Sequence, residues 1–459
     1  MDNIFFGDGW ACKVYENKLN QGFDLLSLQS LDIKKYPYLL ESSSRGNLNN
    51  RFSILFFRPE FSIEKTTKNF LSKFDEYWLK EKIDQSKLVL KDKKLPFFGG
   101  WFVYFGYELS KEIEPKLNIP DSPFELPTAF ASRVKTAIIY DHIDDQIFLV
   151  SEDKEKFKKI CEDVESDFHQ MNKVKNNFFG SIELLNKGSD EEHQRQVKKC
   201  IEYIFQGEIF QANLSRLWNY RVDKGIGATD IYRQLRLKNP SPFSGLVNYK
   251  NSFIISSSPE RLVSVNENFL ETRPIAGTRP RGSSGLHDIE LSNELINSDK
   301  EKAEHLMLVD LERNDISKVC EPGSVKVNEM MTIESYAHVH HIVSNVCGQK
   351  IRNISPGKII SSVFPGGTIT GCPKVRCMEI LGELEKIGRG PYTGSFGYIT
   401  HSGNMDVNIL IRSMLLENNN LFFRAGGGIV ADSAPEAETL ETEAKANGML
   451  NALKFFNNV

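Results

Sequence analysis

The sequence predicts an α+β protein built on large antiparallel sheets. Short apolar strand-like runs come in groups, and helical patterns fall in clusters between those groups instead of alternating with them one to one. No internal repeat, coiled-coil heptad or low-complexity tract interrupts that pattern. At 459 residues the chain exceeds what one small core needs, so two or three domains, or two large subdomains of one fold, are expected.

The first group of strands lies within residues 1–180, where FSILFF, FGGWFVYFGYEL, TAIIYD and QIFLV alternate with lysine-rich connectors. The stretch from Glu152 to Asn177 is charged and polar and reads as a solvent-facing helix at a boundary. The junction is placed between Phe178 and Gly188, with a second unit over 189–457. That unit opens on a helix: Ser189 stands three residues before Glu192 in a capping-box pattern, and Val197, Cys200, Ile201, Ile204 and Phe205 recur at helical spacing up to Gly207. Strand-like runs SGLVNY, SFIISSS and FLETRPI follow, then helical patterns around 298–312, 374–386 and 434–455.

Composition excludes several functions. A net charge of -4 with 26% charged residues gives no basic stripe to draw nucleic acid. The start MDNIFFGDGW carries no secretory signal and no run of about 18 apolar residues marks a membrane span, so a cytoplasmic protein is expected. The seven cysteines are scattered without a Cys-x-x-Cys, which implies neither a disulfide framework nor a zinc site.

Two helix starts carry paired acids. Ser298 before Glu301 and Ser433 before Glu436 read as N-caps, which sets helices from near 299 and 434. On them Glu301 and Glu304 share a face, as do Glu438, Glu441 and Lys445. If the faces converge, like-charge repulsion calls for a cation, and all-oxygen donors suit a hard divalent one. The bland alternative is a pair of solvated helix surfaces.

Further signals favour a small anionic ligand. Gly426, Gly427 and Gly428 interrupt an apolar strand in RAGGGIVADS, where backbone N–H groups can approach an anion or a β-bulge can form. FPGGTITGCPK brings Gly366, Gly367, Thr368 and Gly371 to a helix start near Pro373, without phosphate-loop spacing. Arg412, inside an apolar run, needs a carboxylate from protein or ligand, and Lys445 is a second cation. His341 sits in a probable strand, where a satisfied core histidine is the commoner outcome. Glu260, after Pro259 at a strand end, is placed to have the raised pKa of a general acid, or else to form a salt bridge to Arg261 or another arginine.

Together these strings resemble the chorismate-utilising enzymes, and within them the ammonia-using aminodeoxychorismate synthase and anthranilate synthase component I groups. SPERL, ETRPIAGTRPRG, KAEHLMLVDLERND, VHHIVS, FPGGTITGCPKVRCMEI, RGPYTGSFGY and GGGIVADS with PEAETLETEAKA carry the resemblance over 258–446, and YPYLLESSSRG and LPFFGGWFVYFGYE extend it towards the N-terminus. The resemblance implies two large antiparallel sheets with flanking helices around a central cleft. It implies Mg²⁺ held by Glu304 and Glu441, with Glu301 and Glu438 beside them or bound through water. Tyr392, Arg412, Gly428 and Lys445 match positions that contact the substrate carboxylates, with Gly426, Gly427, Gln211, Ala276 and Thr278 in the same substrate-binding set. Thr368 and His341 match positions against the ring and its leaving group, and Glu260 matches the general acid/base.

The resemblance also bears on the nucleophile. Water-adding members resemble one another in carrying lysine where this chain has Gln211, and an amide cannot deprotonate water. The cysteines lack the flanking glycines of a nucleophile elbow, so ammonia is expected from a separate glutaminase subunit or from solution. Asn213 in QANLS looks like an aminodeoxychorismate synthase. Many of those enzymes carry a lysine where this chain has Ala276, so a covalent lysine adduct is impossible here. Anthranilate synthase remains the rival enzyme. LLESS, with Leu40, Glu41 and Ser42, resembles a tryptophan pocket, which leaves open a non-catalytic tryptophan-binding regulator.

Overall fold

A computed structural model of the chain describes residues 3–16, 23–43, 51–66, 68–83, 90, 94–171, 178–335 and 339–457. The expected boundary stretch 152–177 and the YPYLLESSSRG string therefore lie partly outside the described residues, at 172–177 and 44–46. Among the described residues two antiparallel sheets form the body, one of 13 strands and one of 10.

The larger sheet runs from the Ile4–Gly7 strand at one edge through Phe52–Phe57, Tyr38–Glu41, Phe243–Tyr249, Ser252–Ser258 and Ser413–Glu417 to Asn420–Ile429, Gln211–Val222 and Ile182–Lys187 at the other. The smaller sheet orders Ile275–Pro280, Val339–Gln349, Phe269–Thr272, Arg261–Asn266, Met405–Asn408, Ser395–Thr400, Gly100–Phe105, Ala129–Val134 and Phe61–Glu64. Strands from both sides of residue 180 share each sheet, and the 178–188 junction enters the edge strand Ile182–Lys187.

Aromatic side chains weld the sheets face to face. Tyr38 of the larger sheet stacks on Phe102 of the smaller at 4.1 Å between ring centroids, within a core that includes Phe56, Phe130 and Phe396. The outer faces are covered by helices. Leu25–Leu31, Phe157–Met171, Ala228–Lys238 and Pro435–Lys454 pack on the larger sheet, and Phe70–Lys80, Asp299–Ser317 and Pro356–Val363 on the smaller. The Phe157–Met171 helix buries Phe157, Cys161, Val164 and Phe168, so the charged stretch is half core-facing.

The helix starts show how local chemistry sets the framework. Ser189 caps Asp190–Phe205 by accepting from the Glu192 N–H at 3.0 Å, and Ser298 caps Asp299–Ser317 from Glu301. Ser433 departs from expectation. The last long helix starts at Pro435 with Ala434 as its cap residue, because the Ser433 hydroxyl instead donates to Glu438 Oε1 at 2.6 Å. No helix among the described residues is long and apolar enough to cross a membrane.

Candidate active site

The chain passes from one sheet to the other at two neighbouring places, and each carries a charged residue. Glu260 lies between the 252–258 strand of the larger sheet and the 261–266 strand of the smaller; Arg412 lies between 405–408 and 413–417, which pair with those same two strands. The crossovers are laced together: the Ile409 N–H donates to the Glu260 carbonyl at 3.0 Å, and the Ser257 N–H to the Arg412 carbonyl at 3.1 Å. Arg412 makes the turn at φ 51°, an uncommon backbone for a residue with a side chain.

Glu260 is 5% exposed, and burial pushes its carboxyl up to about 8, with the nearby Glu312 pushing the same way. The Thr368 hydroxyl donates to its Oε1 at 2.6 Å and opposes that rise. Arg261 turns instead to Asp406 at 2.8 Å, so it is not the partner of Glu260, and the charge of Arg412 opposes the rise. Burial thus favours the protonated form of Glu260. Arg412 makes no ion pair among the described residues, and burial lowers its pKa. A guanidinium in this position calls for an anionic ligand.

His341 faces the same region from the 339–349 strand. Its Nδ1 donates to the Gly277 carbonyl at 3.2 Å and lies 2.9 Å from the Thr278 hydroxyl. The carbonyl only accepts, so Nδ1 carries the proton and Nε2 the lone pair. Burial, followed by Arg412, lowers its pKa to about 4 and keeps the ring neutral. The neighbouring strand bulges at Gly277, φ 67°, between Ala276 opposite Ile342 and Thr278 opposite His341.

The glycine run is not a bulge. Residues 420–429 pair with 212–221 in unbroken register, Gly428 opposite Asn213 and Gly426 opposite Ser215. Its bare surface makes room for acids from two helices. A Cβ on Gly427 would sit 3.3 Å from Glu438 Oε2 and 3.4 Å from Glu441 Oε1; one on Gly428 would sit 2.1 Å from Gln211 Nε2 and 3.5 Å from Glu304 Oε1. The Gln211 amide donates to Glu304 Oε1 at 2.7 Å, Lys445 pairs with Glu441 at 2.7 Å, and Arg279 with Glu301 at 3.3 Å. Burial raises the pKa of both Glu304 and Glu438, and Glu438 Oε2 is buried without a hydrogen-bond partner among the described residues. The donors are all carboxylate oxygens, which fits a hard divalent cation, although among the described residues no three His, Cys, Asp or Glu side chains are gathered closely enough to hold a metal.

Tyr392 closes the other side, with its hydroxyl 2.9 Å from where a Cβ on Gly426 would lie. Behind it Arg389 lies over its ring at 5.4 Å and pairs with Glu385, which also meets Arg424. Sequence reasoning missed that buried trio, and it missed Glu312, whose carboxyl burial lifts to about 7. A glutamate in LERND at a core-facing helical position was the available signal for Glu312. Leu40, Glu41 and Ser42 lie elsewhere, lining a cavity of about 250 Å³ with Phe396, Tyr398 and Asn408. Glu41 there accepts from Tyr232 at 2.7 Å and Arg236 at 2.9 Å.

A buried carboxyl, an arginine without an ion pair among the described residues and an acidic rim on a glycine-lined strand are the features of a site that suits a small organic anion. The chain belongs to the chorismate binding enzyme family, whose pattern matches residues 36–451. It is 37% identical over 451 residues to anthranilate synthase component 1 of Aquifex aeolicus, covering 92% of this chain and 90% of that one. It is 39% identical over 368 residues to aminodeoxychorismate synthase component 1 of Bacillus subtilis, covering 78% and 77%. A crystal structure of anthranilate synthase component I from Streptococcus pneumoniae superposes with a TM-score of 0.77 at 29% identity, covering 88% of this chain and 93% of that one. The two-sheet α+β fold expected from the sequence is that of this relative.

Proposed function

We propose that this enzyme aminates chorismate as an aminodeoxychorismate synthase component I, using ammonia from a glutaminase subunit to make 4-amino-4-deoxychorismate for para-aminobenzoate and folate synthesis. The observation that carries the reading is Gln211. Its amide donates to Glu304, so the position where a base would activate water offers none.

Arg412 and Tyr392 bind the substrate's carboxylates, and Thr368 and His341 lie against the ring. Mg²⁺, held by Glu304 and Glu441 with Glu301 and Glu438 in support, supplies positive charge for the ring carboxylate when bound. Nitrogen bonds to ring C2 as the C4–O bond breaks, and Glu260 gives its proton to the departing oxygen, which leaves as water. The new ammonium sheds its surplus proton to solvent. With alanine at 276, ammonia itself attacks the ring; a second ammonia then bonds to C4 as the C2–N bond breaks, and the C2 nitrogen leaves as ammonia with the proton that the new C4 ammonium gives up. Relatives named as component 1 support a partner subunit.

The names of the relatives favour a second reading, anthranilate synthase, which shares the addition at C2 but then eliminates pyruvate. Incubation with chorismate, Mg²⁺ and ammonium salt separates them: 4-amino-4-deoxychorismate is expected, and direct release of anthranilate with pyruvate overturns the first reading. The 250 Å³ cavity at Leu40, Glu41 and Ser42 is proposed to take tryptophan. Added tryptophan should raise the melting temperature of the wild type and not of Ser42→Phe; equal shifts in both would refute it.

A further inference from the structure

A second buried carboxyl stands behind the acid. Glu312, on the 299–317 helix, is 5% exposed, and its charge pushes the Glu260 carboxyl up. Burial raises the pKa of both, and two carboxyls in one apolar place do not both ionise freely. Burying such an acid costs stability, so its contacts bear on what it does.

Those contacts converge on one turn. Gly367–Ile369 lies hard against the 299–317 helix: a Cβ on Gly367 would fall 2.5 Å from Leu311 Cδ2 and 3.3 Å from Glu312 Oε1. The Gly367 N–H and the Thr272 hydroxyl face the Glu312 carboxyl and favour its charged form. The next residue, Thr368, donates to Glu260 Oε1 at 2.6 Å, and the Ile369 carbonyl accepts from Arg389 Nη1 at 3.2 Å. Consecutive residues of one short turn thus meet the two carboxyls.

Charge separates the roles of the pair. Glu312 is faced by Lys374 from the 374–385 helix and by Asp315 on its own helix, and Lys374 and Lys318 both pair with Asp315, at 2.5 and 3.2 Å. Glu260 is faced by Arg412 and by the Ile275 N–H, and a substrate carboxylate on Arg412 draws that cation's charge away from Glu260. We propose that Glu312 is a positioning residue for the reaction: it sets the turn that presents Thr368 to Glu260 and, as the charged member of the pair, leaves the transferable proton on Glu260. This rests on the reading of Glu260 as the acid. Glu312 acts through Gly367 and Glu260, not on the substrate.

Glu312→Gln removes the charge and keeps an acceptor for Gly367, whereas Glu312→Leu removes both. With saturating chorismate and Mg²⁺, and free ammonia held constant across the pH series, the alkaline limb of the rate profile should move down by about half a unit or more in both variants. The plateau should fall by about tenfold in Glu312→Leu and by less in Glu312→Gln. A limb that stays in place or moves upward, or a Glu312→Leu plateau equal to that of the wild type, overturns the proposal; a merely structural glutamate would lower the plateau alone. If Glu312→Leu fails to fold, the limb of Glu312→Gln decides. Failure of the acid reading shows separately, as wild-type activity in Glu260→Gln.

Discussion

The Thr368 hydroxyl donates to Glu260 Oε1 across 2.6 Å, tying the turn after Gly366 and Gly367 to the crossover between the two sheets. The donor favours the charged carboxylate, whereas burial favours the neutral acid; burial wins and holds the group near 8. Thr368 therefore moderates the acid it positions. Glu312 presses from the far side, with Asp315 and its partner Lys374 behind it.

Glu260→Gln removes the proposed proton donor and should lower kcat by roughly 10²–10⁴-fold while leaving the fold intact. In the wild type, activity should fall as pH rises through about 8, where the acid ionises. Stability should follow the same group. Its folded pKa is raised above the ordinary 4.5, so the contribution of the neutral form is complete below 4.5 and is lost as pH rises through about 8. Glu260→Gln should therefore gain stability relative to wild type on going from pH 4 to pH 9. Denaturant melts at both pH values check this, and a constant difference would count against a buried neutral acid.

Thr368→Val preserves shape and deletes the hydroxyl. Loss of a donor that favours the carboxylate raises the Glu260 pKa further, so the alkaline limb of the pH–rate profile should move upward. The plateau rate should drop by about tenfold because the carboxyl loses its fixed orientation. A limb that stays in place or moves to lower pH would show that the hydroxyl does not act on Glu260.

Local chemistry explains which of these residues the sequence revealed. Glu260, Thr368, His341 and Arg412 each sit in a short motif with its own turn or strand signal, and Ser189 and Ser298 cap the helices their spacing predicts. The placement of Glu260 and Arg412 on adjacent crossovers was not legible. It depends on which strands cross between sheets, a non-local choice that residue periodicity does not encode. Glu312 was passed over because a charged residue in a helical run reads as surface unless the core-facing side is known. Ser433 misled for the opposite reason: its hydroxyl serves Glu438, a partner invisible in a capping pattern.

Glu304→Gln and Glu441→Gln test the acidic rim from opposite helices. Each keeps the side-chain length and removes one carboxylate, so far-UV circular dichroism should be unchanged while Mg²⁺-dependent turnover is abolished. Calorimetric titration should show Mg²⁺ binding weakened in both. Mg²⁺ dependence that is unchanged in both variants would remove these residues from the proposed metal site.

Gly428→Ala probes the glycine run without touching a charge. The added Cβ would fall 2.1 Å from Gln211 Nε2, so that amide must move, and its 2.7 Å bond to Glu304 goes with it. The displaced group is the end of a side chain and not backbone, and the strand pairing at 428 is made by main-chain atoms that an alanine leaves in place. Stability should change by no more than about 1 kcal/mol. The kcat/KM for chorismate should nonetheless fall by about tenfold or more, because Glu304 loses the donor that orients it. A variant that melts much earlier would instead show the glycine to be a packing requirement of the sheet. Full activity in a stable variant would show that Gln211 does not set the position of Glu304.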